Sequence, residues 1–391
     1  MTNLIFDLNN IVHRSLFIVG GYGSKSFTFD SQSEIDQLMR KMAMDIAFIV
    51  RNIRPSRIIL CQDESSWRKD IIIDENEGYK GNRVKSKIIN WTNVYNAVDE
   101  FTEIMQTNGM VVTKIPKAEA DDLVALWSQE LLFEHKQNVI IVSGDEDIRQ
   151  LVRTYEIDNI NPLFTTVYNP FMQGKNASRK LYVPEKFETW LNTADAVDFL
   201  NMKNTINIDK EDFKKISTAE RTKIEVIDGN MIAMRKIFCG DDGDNIPAFH
   251  TWLNDKDATV RITNSKFLKI YEELLKSTNS NIIDHNILLE NVEKLKDAFI
   301  KVLQFNPTFD IEQRLKRQIN LVVLDPKLFP KSIVNKFQNI KNEELKKPRA
   351  NYTNLNMYNL LEGTRYIHEK TNENEASIFK KIDRIQGKKL F

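Results

Sequence analysis

Three carboxylates stand close together in the stretch KAEADDLVA, residues 117–125, where Glu119, Asp121 and Asp122 precede an apolar run with helical spacing. Acidic side chains near a helix N-terminus are stabilised by roughly 0.3–1 kcal/mol each through the helix dipole, so an acidic first turn is one interpretation. A metal site is the other, because crowded carboxylates raise one another's pKa and cost folding energy unless a cation neutralises them. The positions of the remaining acids distinguish the two interpretations.

Further acids follow other apolar runs or occupy tight turns. They lie in LIFDLNN, LCQDESSW, VSGDEDIRQL and CGDDGDNIP, and they are Asp7, Asp63, Asp145, Asp147, Asp241 and Asp244. Each acid alone is compatible with a helix cap or a turn. Their shared placement favours a site of oxygen ligands only, which suits Mg²⁺ or Mn²⁺. Two such ions about 3.5–4 Å apart form the usual clamp for phosphodiester hydrolysis.

A basic segment with interleaved aromatic residues follows Asp63, running from WRKD to GYKGNRVKSK. A solvated basic loop is the simplest interpretation. The position beside Asp63 instead favours contacts with nucleic acid, in which cations hold phosphates and aromatic rings stack on bases. The candidates for these contacts are Arg68, Lys69, Tyr79, Lys80, Arg83, Lys85 and Lys87, with Trp67 as a further stacking face.

The elements that must position these residues alternate along the chain. Near-continuous apolar runs at NLIFDL, RIILCQ, MVVTKI and NVIIVS predict strands that are covered on both faces. Apolar stripes between them, such as Val94, Val98 and their helical neighbours, predict amphipathic helices. This alternation predicts a doubly wound, mainly parallel α/β domain. Ligands bind such sheets at the carboxyl ends of the strands, near the point where strand order reverses.

The chain divides into three regions by composition. Residues 1–250 form the predicted α/β domain, and about 172–230 of it is an irregular, polar insertion. Residues 251–345 read as helices without intervening strands, which predicts a smaller helical C-terminal region. Residues 346–391 are polar and Asn-rich, and we expect a tail with one helix at most.

The composition excludes several classes of protein. Lys and Arg total 55, as do Asp and Glu, so any polyanion-binding surface must come from local clustering. Cys61 and Cys239 lie far apart without a Cys or His partner nearby, which excludes a zinc finger and predicts buried, inert thiols in a reducing cytoplasm. No apolar run is long enough to span a membrane, and the N-terminus lacks the layout of a signal peptide.

The motifs FDLNNIVHR, YKGNR, EADD, SGDEDIRQL and GDDGDNIP occur in this order between residues 1 and 247. They resemble the ordered motifs of the flap endonuclease and 5′-3′ exonuclease family, whose fold is a PIN-like α/β domain with a helical gateway. Two further segments, RIILCQDESSWRKD and NLVVLDPKLFPKSIVNKF, resemble the ribonucleases H of T-even bacteriophages within that family.

The resemblance implies a 5′-nuclease that removes RNA primers and 5′ flaps from duplex DNA during phage lagging-strand replication. It implies two Mg²⁺ ions, for which Mn²⁺ substitutes. Lys80 and Arg83 would reach the scissile phosphate from the base of the gateway, and with Asp121 and Asp145 they are the expected catalytic residues. The implied ligands of the first metal are Asp7, Asp63, Glu119, Asp121, Asp122 and Asp145, and those of the second are Asp147, Asp241 and Asp244.

One segment departs from the family pattern. After GDDGDNIP the chain continues AFHTWLNDKDATVRI, where many relatives carry a glycine-rich helical hairpin that grips duplex phosphates. Two other functions compete with the nuclease. A PIN-like nucleic-acid-binding protein without catalysis should lack one of the acids, and every acid is present. A PIN-type RNA endonuclease should be far shorter and should lack YKGNR.

The C-terminus carries a further expected contact. The ending QGKKLF resembles peptides that bind replication sliding clamps, with Gln386, Leu390 and Phe391 filling pockets on the clamp. A solvated Lys-rich terminus is the alternative. The remaining expected partners are branched or RNA-primed duplex DNA, and the protein is expected to be a monomer.

Overall fold

The computed structural model describes residues 2–20, 28–53, 55–74, 77–83, 85–157, 160–171, 179–185, 187, 222–249, 251–253, 259–304, 310–352 and 355–367. Its strands are β1 (Thr2–Asp7), β2 (Arg57–Gln62), β3 (Ile72–Asp74), β4 (Glu77–Gly78), β5 (Val111–Lys114), β6 (Asn138–Val142), β7 (Arg153–Ile157), β8 (Ile160–Asn169), β9 (Arg179–Val183), β10 (Thr222–Val226), β11 (Thr251–Leu253) and β12 (Thr259–Arg261).

The helices follow the same chain order. They are α1 (Leu8–Val19), α2 (Gln32–Ile53), α3 (Trp91–Thr107), α4 (Ala120–Gln129), α5 (Gly229–Cys239), α6 (Asn264–Thr278), α7 (His285–Glu290), α8 (Val292–Leu303), α9 (Ile311–Val322), α10 (Lys331–Glu344) and α11 (Met357–Leu361). Short 3₁₀ turns lie at Trp67–Asp70, Asp147–Leu151 and Pro326–Leu328, and α4 continues into a π turn at Glu130–Glu134.

An eight-stranded, mainly parallel sheet forms the centre of the N-terminal half. Its order is β10-β9-β8-β6-β1-β2-β5, and β7 pairs with the N-terminal part of β8. Strands β8, β6, β1, β2 and β5 are parallel, and β9 runs antiparallel to β8. The prediction of a mainly parallel α/β sheet is confirmed, and all four strands predicted from apolar runs are among its members.

Helices cover both faces of this sheet. Alternate strand residues point to opposite sides, so Leu4 and Phe6 pack with α1, α2 and α3, whereas Ile5 and Ile59 pack with α4 and α10. Both sets are fully buried, which explains why the strand sequences are apolar throughout rather than alternating. The fold class is therefore a three-layer α/β arrangement of the PIN-like type.

A helical region follows the sheet and has its own aromatic core. Phe238 of α5, Phe249, Phe267 of α6 and Phe299 of α8 contact one another with ring centroids 5.3–5.9 Å apart. The predicted helical C-terminal region is confirmed. Its core begins before residue 250, because α5 contributes Ala233, Met234 and Ile237 to it. The packing of this region therefore extends across the domain boundary expected from composition.

Three segments differ from the sequence-based expectations. In the described residues between Gly78 and Trp91 the chain forms turns and bends, where a helical gateway was expected. Strands β9 and β10 lie inside the segment expected to be an irregular insertion, because both pair in the sheet. Residues 188–221 of that segment lie outside the described part.

The segment expected to be a polar tail is packed as far as residue 367. Tyr352, Leu360, Leu361 and Tyr366 are buried in the core formed with α2 and α3. The Tyr352 hydroxyl donates a hydrogen bond to the carbonyl of Gly109, 2.7 Å away. The low density of apolar residues in this segment gave no sign in the sequence that these four are buried. Residues 368–391, including the expected clamp-binding peptide, lie outside the described part.

Among the described residues, no helix combines the length and the apolar character needed to cross a membrane.

Candidate metal centre

Three acids predicted at strand ends lie at one edge of the sheet. Asp7 is the last residue of β1, Asp63 follows β2, and Asp145 comes three residues after β6. β1 pairs in parallel with both β2 and β6, so the carboxyl ends of the three strands are adjacent. The order of the strands reverses at β1, because β2 and β5 lie on one side of it and β6, which follows them in the chain, lies on the other.

Asp7 is buried and held by two neighbouring elements. Its Oδ1 caps α1 by accepting from the backbone N–H of Asn10 at 3.1 Å, and its Oδ2 accepts from the Ser143 hydroxyl at 2.9 Å. Burial, together with the negative charges of Asp63 and Asp145, raises the pKa of Asp7 from 3.8 to about 7. A carboxylate here is costly unless a cation stands close by.

Asp63 and Asp121 share this electrostatic environment. Asp63 accepts hydrogen bonds from the Asn9 amide and from the backbone N–H of Ala120, the first residue of α4. Burial raises the pKa of Asp63 to about 6, with Glu119 adding to the rise. Burial and the charges of Asp145 and Asp7 raise the pKa of Asp121 well above its usual range. These groups are therefore close enough to repel one another.

The structure corrects the role predicted for Arg68. Its side chain is only 2% exposed, and its guanidinium contacts Asp122 at 2.7 Å and Glu119 at 3.4 Å. The 3₁₀ turn at Trp67–Asp70 tucks it beneath α4, where it cannot contact nucleic acid. Burial lowers the pKa of Arg68, but Asp122 and Glu119 outweigh burial and raise it above its ordinary value.

Asp122 likewise has a structural role in place of the predicted metal ligation. It is fully buried, with Oδ1 on Arg68 and Oδ2 accepting from the backbone N–H of Glu119 at 3.1 Å. This contact is half of a capping box at the start of α4. Its carboxylate is paired with the buried guanidinium of Arg68, so Asp122 supports the turn that presents Glu119 and Asp121.

Glu119 contacts a buried hydroxyl with one oxygen and a cation with the other. Its Oε2 accepts from the Ser66 hydroxyl at 2.7 Å, and its Oε1 forms an ion pair with the Lys80 ammonium. Burial would raise the pKa of Glu119, but Lys80 and Arg68 outweigh this effect and hold it below the ordinary value. Glu119 is thus ionised, with one oxygen directed toward the basic loop.

A second group of acids lies beside the first. Asp147, Asp241 and Asp244, which the family resemblance groups together, each offer an oxygen within 4.8 Å of the others. They line an open cleft of about 480 Å³ together with Arg83, Asp145 and Lys236. Burial and the charge of Asp145 raise the pKa of Asp147 to about 6, although Lys236 opposes the rise.

Lys236 was not predicted from the sequence. Its ammonium forms an ion pair with Asp147 and lies 2.6 Å from Asp241 and 3.9 Å from Asp244. Burial lowers the pKa of Lys236, but Asp147 and Asp244 raise it above the ordinary value. One sign of this role is present in the sequence, namely that Lys236 lies in the last turn of α5, five residues before Asp241. Lysines are common in the last turn of helices because they interact favourably with the helix dipole, so this sign was not specific.

A tight turn presents two of these acids. Gly240 ends α5 with φ of +75°, and a Cβ there would lie 2.5 Å from the backbone nitrogen of Ala248. Backbone hydrogen bonds between Asp241 and Ile246 close the turn. Only glycine adopts this positive φ easily and leaves room for the backbone of Ala248, which explains the first glycine of CGDDGDN.

The YKGNR loop docks onto this turn. The backbone N–H of Lys80 donates to the Asp244 carbonyl at 2.9 Å, the Asn82 amide donates to the Asp242 carbonyl at 2.6 Å, and Arg83 forms an ion pair with Asp244. Lys80 takes a φ of +57°, an uncommon value for a residue with a side chain. The loop thereby places Lys80 on Glu119 and Arg83 on Asp244, between the two groups of acids.

The other basic and aromatic candidates divide by burial. Tyr79 is only 6% exposed, and its hydroxyl donates to Asp244 at 3.3 Å, so it supports the turn and offers no stacking face. Trp67 is likewise buried against Phe329. Both stacking predictions are therefore corrected. Lys69, Lys85 and Lys87 are exposed, as their predicted role requires.

The arrangement fits hard divalent cations. In the described part of the chain, Asp147, Asp241 and Asp244 are the group whose carboxylate oxygens lie close enough together to hold one ion, and neither histidine nor cysteine joins them. Burial first, and then the charges of neighbouring acids, raise the pKa values of Asp7 and Asp63, and a bound cation would offset both effects. Cys61 lies behind Asp7 in the core, where burial raises its thiol pKa and keeps it uncharged.

The sequence was compared with protein families and with known proteins. Residues 2–188 match the family described as 5′-3′ exonuclease, N-terminal resolvase-like domain. The matched residues make up slightly less than half of the chain. No curated protein matches the sequence.

Solved structures from bacteriophage T5 share a weak overall likeness. The T5 5′-exonuclease with bound zinc is 16% identical, with a TM-score of 0.45 over 88% of this chain and 100% of that one. A T5 flap endonuclease in a pseudo-enzyme–product complex with DNA and metal ions is also 16% identical, with a TM-score of 0.40 over the same shares of the two chains.

Proposed function

We propose that this protein is a metal-dependent 5′-nuclease that hydrolyses phosphodiester bonds in 5′ flaps and RNA primers on duplex DNA. One observation carries the proposal. Acids from β1, β2, α4, β6 and the turn after α5 meet at one edge of the sheet, and a loop with two cations is docked between their two groups. Carboxylates that hold metal ions, set opposite cationic side chains, suit a substrate whose phosphate lies between the metal ions and the cations.

Two groups of residues would hold the metal ions. Asp7, Asp63, Glu119, Asp121 and Asp145 would surround the first ion, and Asp147, Asp241 and Asp244 the second. Divalent cations in such a pair activate water and stabilise the leaving oxygen. Ser143 and Asn9 fix the rotamers of Asp7 and Asp63 through their hydrogen bonds. The carboxylates are thus oriented before any cation binds.

Lys80 and Arg83 would hold the scissile phosphate. In the structure their charged groups rest on Glu119 and Asp244, at the border between loop and acids. A phosphate arriving there exchanges these ion pairs for contacts with its own oxygens. Because the loop backbone is tied to the turn by several hydrogen bonds, both cations are positioned without a large ordering cost.

The finer parts of the proposal come from the sequence resemblance. They are ribonuclease H activity, Mg²⁺ as the natural ion, a role in phage lagging-strand replication in the host cytoplasm, and action as a monomer. Clamp binding through Gln386, Leu390 and Phe391 belongs with them. Deleting residues 386–391 should leave cleavage of naked oligonucleotides unchanged and abolish stimulation by the cognate clamp. Equal stimulation of intact and truncated proteins would remove the clamp contact.

Single-turnover cleavage of 5′-labelled substrates tests the proposed function. Flap DNA and RNA-primed duplexes are incubated with Mg²⁺ or with EDTA, and product lengths are measured. Asp145→Asn and Asp121→Asn should cleave roughly 100-fold or more slowly, since each weakens a metal worth several kcal/mol of transition-state stabilisation. Asp242→Asn is the matched control, because Asp242 lies in the turn that presents Asp241 and Asp244 but its side chain is 83% exposed.

The outcomes separate the competing functions. Metal-dependent cleavage by the wild type and Asp242→Asn, and its loss in the other two variants, supports the nuclease. Binding without cleavage in any metal would indicate the inactive binding protein. Preference for unpaired RNA without a duplex would indicate the PIN-type RNA endonuclease.

A further inference from the structure

An exposed aromatic surface lies just beyond the docked loop. It consists of Lys85, Trp91 and Tyr95, and is called here the 85–95 surface. Trp91 and Tyr95 are four residues apart on α3 and therefore share one helix face. Their rings are stacked, with centroids 6.0 Å apart and an interplanar angle of 29°. Tyr95 is 46% exposed, unlike Trp67 and Tyr79, which are buried.

The three side chains hold one another in place. The Lys85 ammonium lies 4.9 Å from the Tyr95 ring centroid and 2.6 Å from its hydroxyl. The Trp91 indole N–H donates to the carbonyl of Ser86 at 3.0 Å. The indole therefore has a fixed orientation, and a ligand would not have to order it on binding.

The surroundings of this surface are positively charged. Arg83, Lys85 and Lys87 are exposed on the adjoining loop. His13 of α1 lies 6.0 Å from Trp91 between ring centroids, and partial burial followed by the charges of Arg83 and Lys85 lowers its pKa. In the described residues, no carboxylate forms an ion pair with Lys85 or Lys87. A polyanion is the complementary ligand.

The 85–95 surface is also near the acids. His13 and Asp7 are six residues apart along α1, which corresponds to about 9 Å of helix rise. Arg83, which contacts Asp244, is only two residues from Lys85. A strand whose phosphate lies on Arg83 therefore reaches the exposed ring of Tyr95 within a few nucleotides.

A packing role explains only part of this arrangement. Trp91 packs partly against the core and anchors the loop. Tyr95 is outside that core, and α3 is already secured by Val94, Val98 and Phe101. Leaving the Tyr95 ring in water forgoes the free energy of burying it, so packing alone does not explain its position. Exposed aromatic rings among basic side chains are typical of surfaces on which nucleic-acid bases stack.

We propose that the 85–95 surface binds the unpaired 5′ strand of the substrate, with a base stacked on Tyr95 and the adjacent phosphate on Lys85. The proposal rests on the proposed function for its choice of substrate. It concerns binding alone, so it is tested without cleavage. The surface selects substrates with an unpaired strand over fully paired duplexes, because only an unpaired base exposes its face.

Equilibrium binding in EDTA tests this proposal. Fluorescence anisotropy is measured for a duplex with a single-stranded 5′ flap and for the same duplex without it. Tyr95→Ala should weaken binding of the flapped substrate about fivefold or more, which is the effect of losing one base–aromatic stack. Binding of the fully paired duplex should be unchanged. Tyr95→Phe should restore flap binding, because the ring is retained.

A second signal reports stacking directly. A fluorescent base analogue in the flap should be quenched on binding to the wild type and to Tyr95→Phe, and less so with Tyr95→Ala. Tyr358→Ala serves as the control, since Tyr358 is also exposed but lies on α11. Thermal melting of each variant establishes that it is folded.

Three results would overturn the proposal. They are wild-type flap affinity in Tyr95→Ala, an equal loss of affinity for flapped and fully paired DNA, and equal weakening by Tyr95→Ala and Tyr95→Phe. Failure of the nuclease proposal looks different, because the wild type would then bind the flapped duplex without cleaving it in any divalent metal.

Discussion

Two lysines provide positive charge among the acids, and they come from distant parts of the chain. Lys80 contacts Glu119 beside the first group, and Lys236 contacts all three acids of the second. A buried ammonium stabilises carboxylates that would otherwise repel one another. Lys236 is therefore a counter-ion to the three acids, and we expect the proposed metal to compete with it.

Replacing Lys236 with Met should expose this competition. Without metal, the variant should lose about 1–3 kcal/mol of stability, because three neighbouring carboxylates lose their partner. Mg²⁺ should restore most of that loss, and the affinity for Mg²⁺ should rise. Thermal melting in EDTA and in Mg²⁺, with calorimetric titration, measures both effects. Lys301→Met, which removes an exposed ion pair, is the control. Unchanged melting in EDTA together with unchanged metal affinity would contradict the counter-ion role.

Asp7 should make stability depend on pH. Its folded-state pKa of about 7 lies above its ordinary value of 3.8. Between these values the folded protein retains a proton that the unfolded chain has released, so stability falls as pH rises through this window. In EDTA, urea unfolding of the wild type should lose roughly 1–3 kcal/mol more than Asp7→Asn between pH 5 and pH 8.

The asparagine variant is a matched comparison. Asn at position 7 still caps α1, and the titration of His13 is common to both proteins and cancels in the difference. Parallel pH curves for the two proteins would show that Asp7 is not strained by burial and repulsion.

The site residues show what sequence patterns reveal. The clustering of acids at strand ends can be predicted from the sequence, because parallel strands bring their carboxyl ends to one edge of the sheet. The burial of Arg68 is not readable, because it depends on a 3₁₀ turn that packs beneath α4. Lys236 was missed because a lysine in the last turn of a helix has an ordinary explanation.

At the level of elements, the docked loop and the turn after α5 form one unit. Residues 78–83 contact residues 241–245 through backbone and side-chain hydrogen bonds. Lys80 holds its unusual backbone conformation within this contact, at a cost of about 1–2 kcal/mol. In this conformation the side chain reaches Glu119.

Lys80→Ala and Arg83→Ala should slow cleavage more than they weaken binding. A cation at the scissile phosphate acts mainly where charge develops, so single-turnover rates at saturation should fall roughly 100-fold, with less than tenfold change in Kd. Lys80→Gly should cleave as slowly as Lys80→Ala but be more stable, because glycine relieves the backbone strain. Lys301→Ala, at an exposed lysine outside the predicted nucleic-acid contacts, is the control.

A different pattern would reassign these residues. If Lys80→Ala or Arg83→Ala reduced only affinity and its salt dependence, leaving the saturated rate intact, that side chain would be a phosphate-positioning contact.

Elements were predictable where their environment is uniform. Strands β1, β2 and β6 are buried along their whole length and read as apolar runs, whereas β5 lies at the sheet edge and its apolar residues are those at its start. Strands β9 and β10 escaped notice because they lie at the sheet edge, where charged residues such as Lys180, Lys223 and Glu225 alternate with apolar ones. The expected helical gateway depended on the family resemblance, and the described loop takes turns instead.

At the scale of the whole molecule, the C-terminal segment completes the first core. Arg40 of α2 donates to the carbonyl of Tyr366, 2.8 Å away across 326 residues of sequence, and Asn108 donates to the carbonyl of Leu360 at 3.2 Å. Leu360 and Leu361 are buried beside the sheet residues Leu4 and Phe6 in the same core. The N-terminal layer thus depends on residues near the other end of the chain.

Leu361→Ala should destabilise the protein by about 2–5 kcal/mol, through lost apolar burial and the cavity left behind. Glu362→Ala, at the next and exposed position, should change stability by less than about 0.5 kcal/mol. Urea unfolding measures both. Equal, small effects would show that α11 is not integral to the core.

The late position of this segment affects synthesis on the ribosome. The chain emerges from its N-terminus, so β1 and α2 leave the ribosome long before Leu360 and Tyr366 are translated. During that interval the apolar face of α2 and α3 lacks its final cover. Contacts of such long sequence separation close slowly, which leaves the nascent chain open to aggregation and to protection by chaperones. A fragment that ends at residue 250 would keep that face exposed permanently.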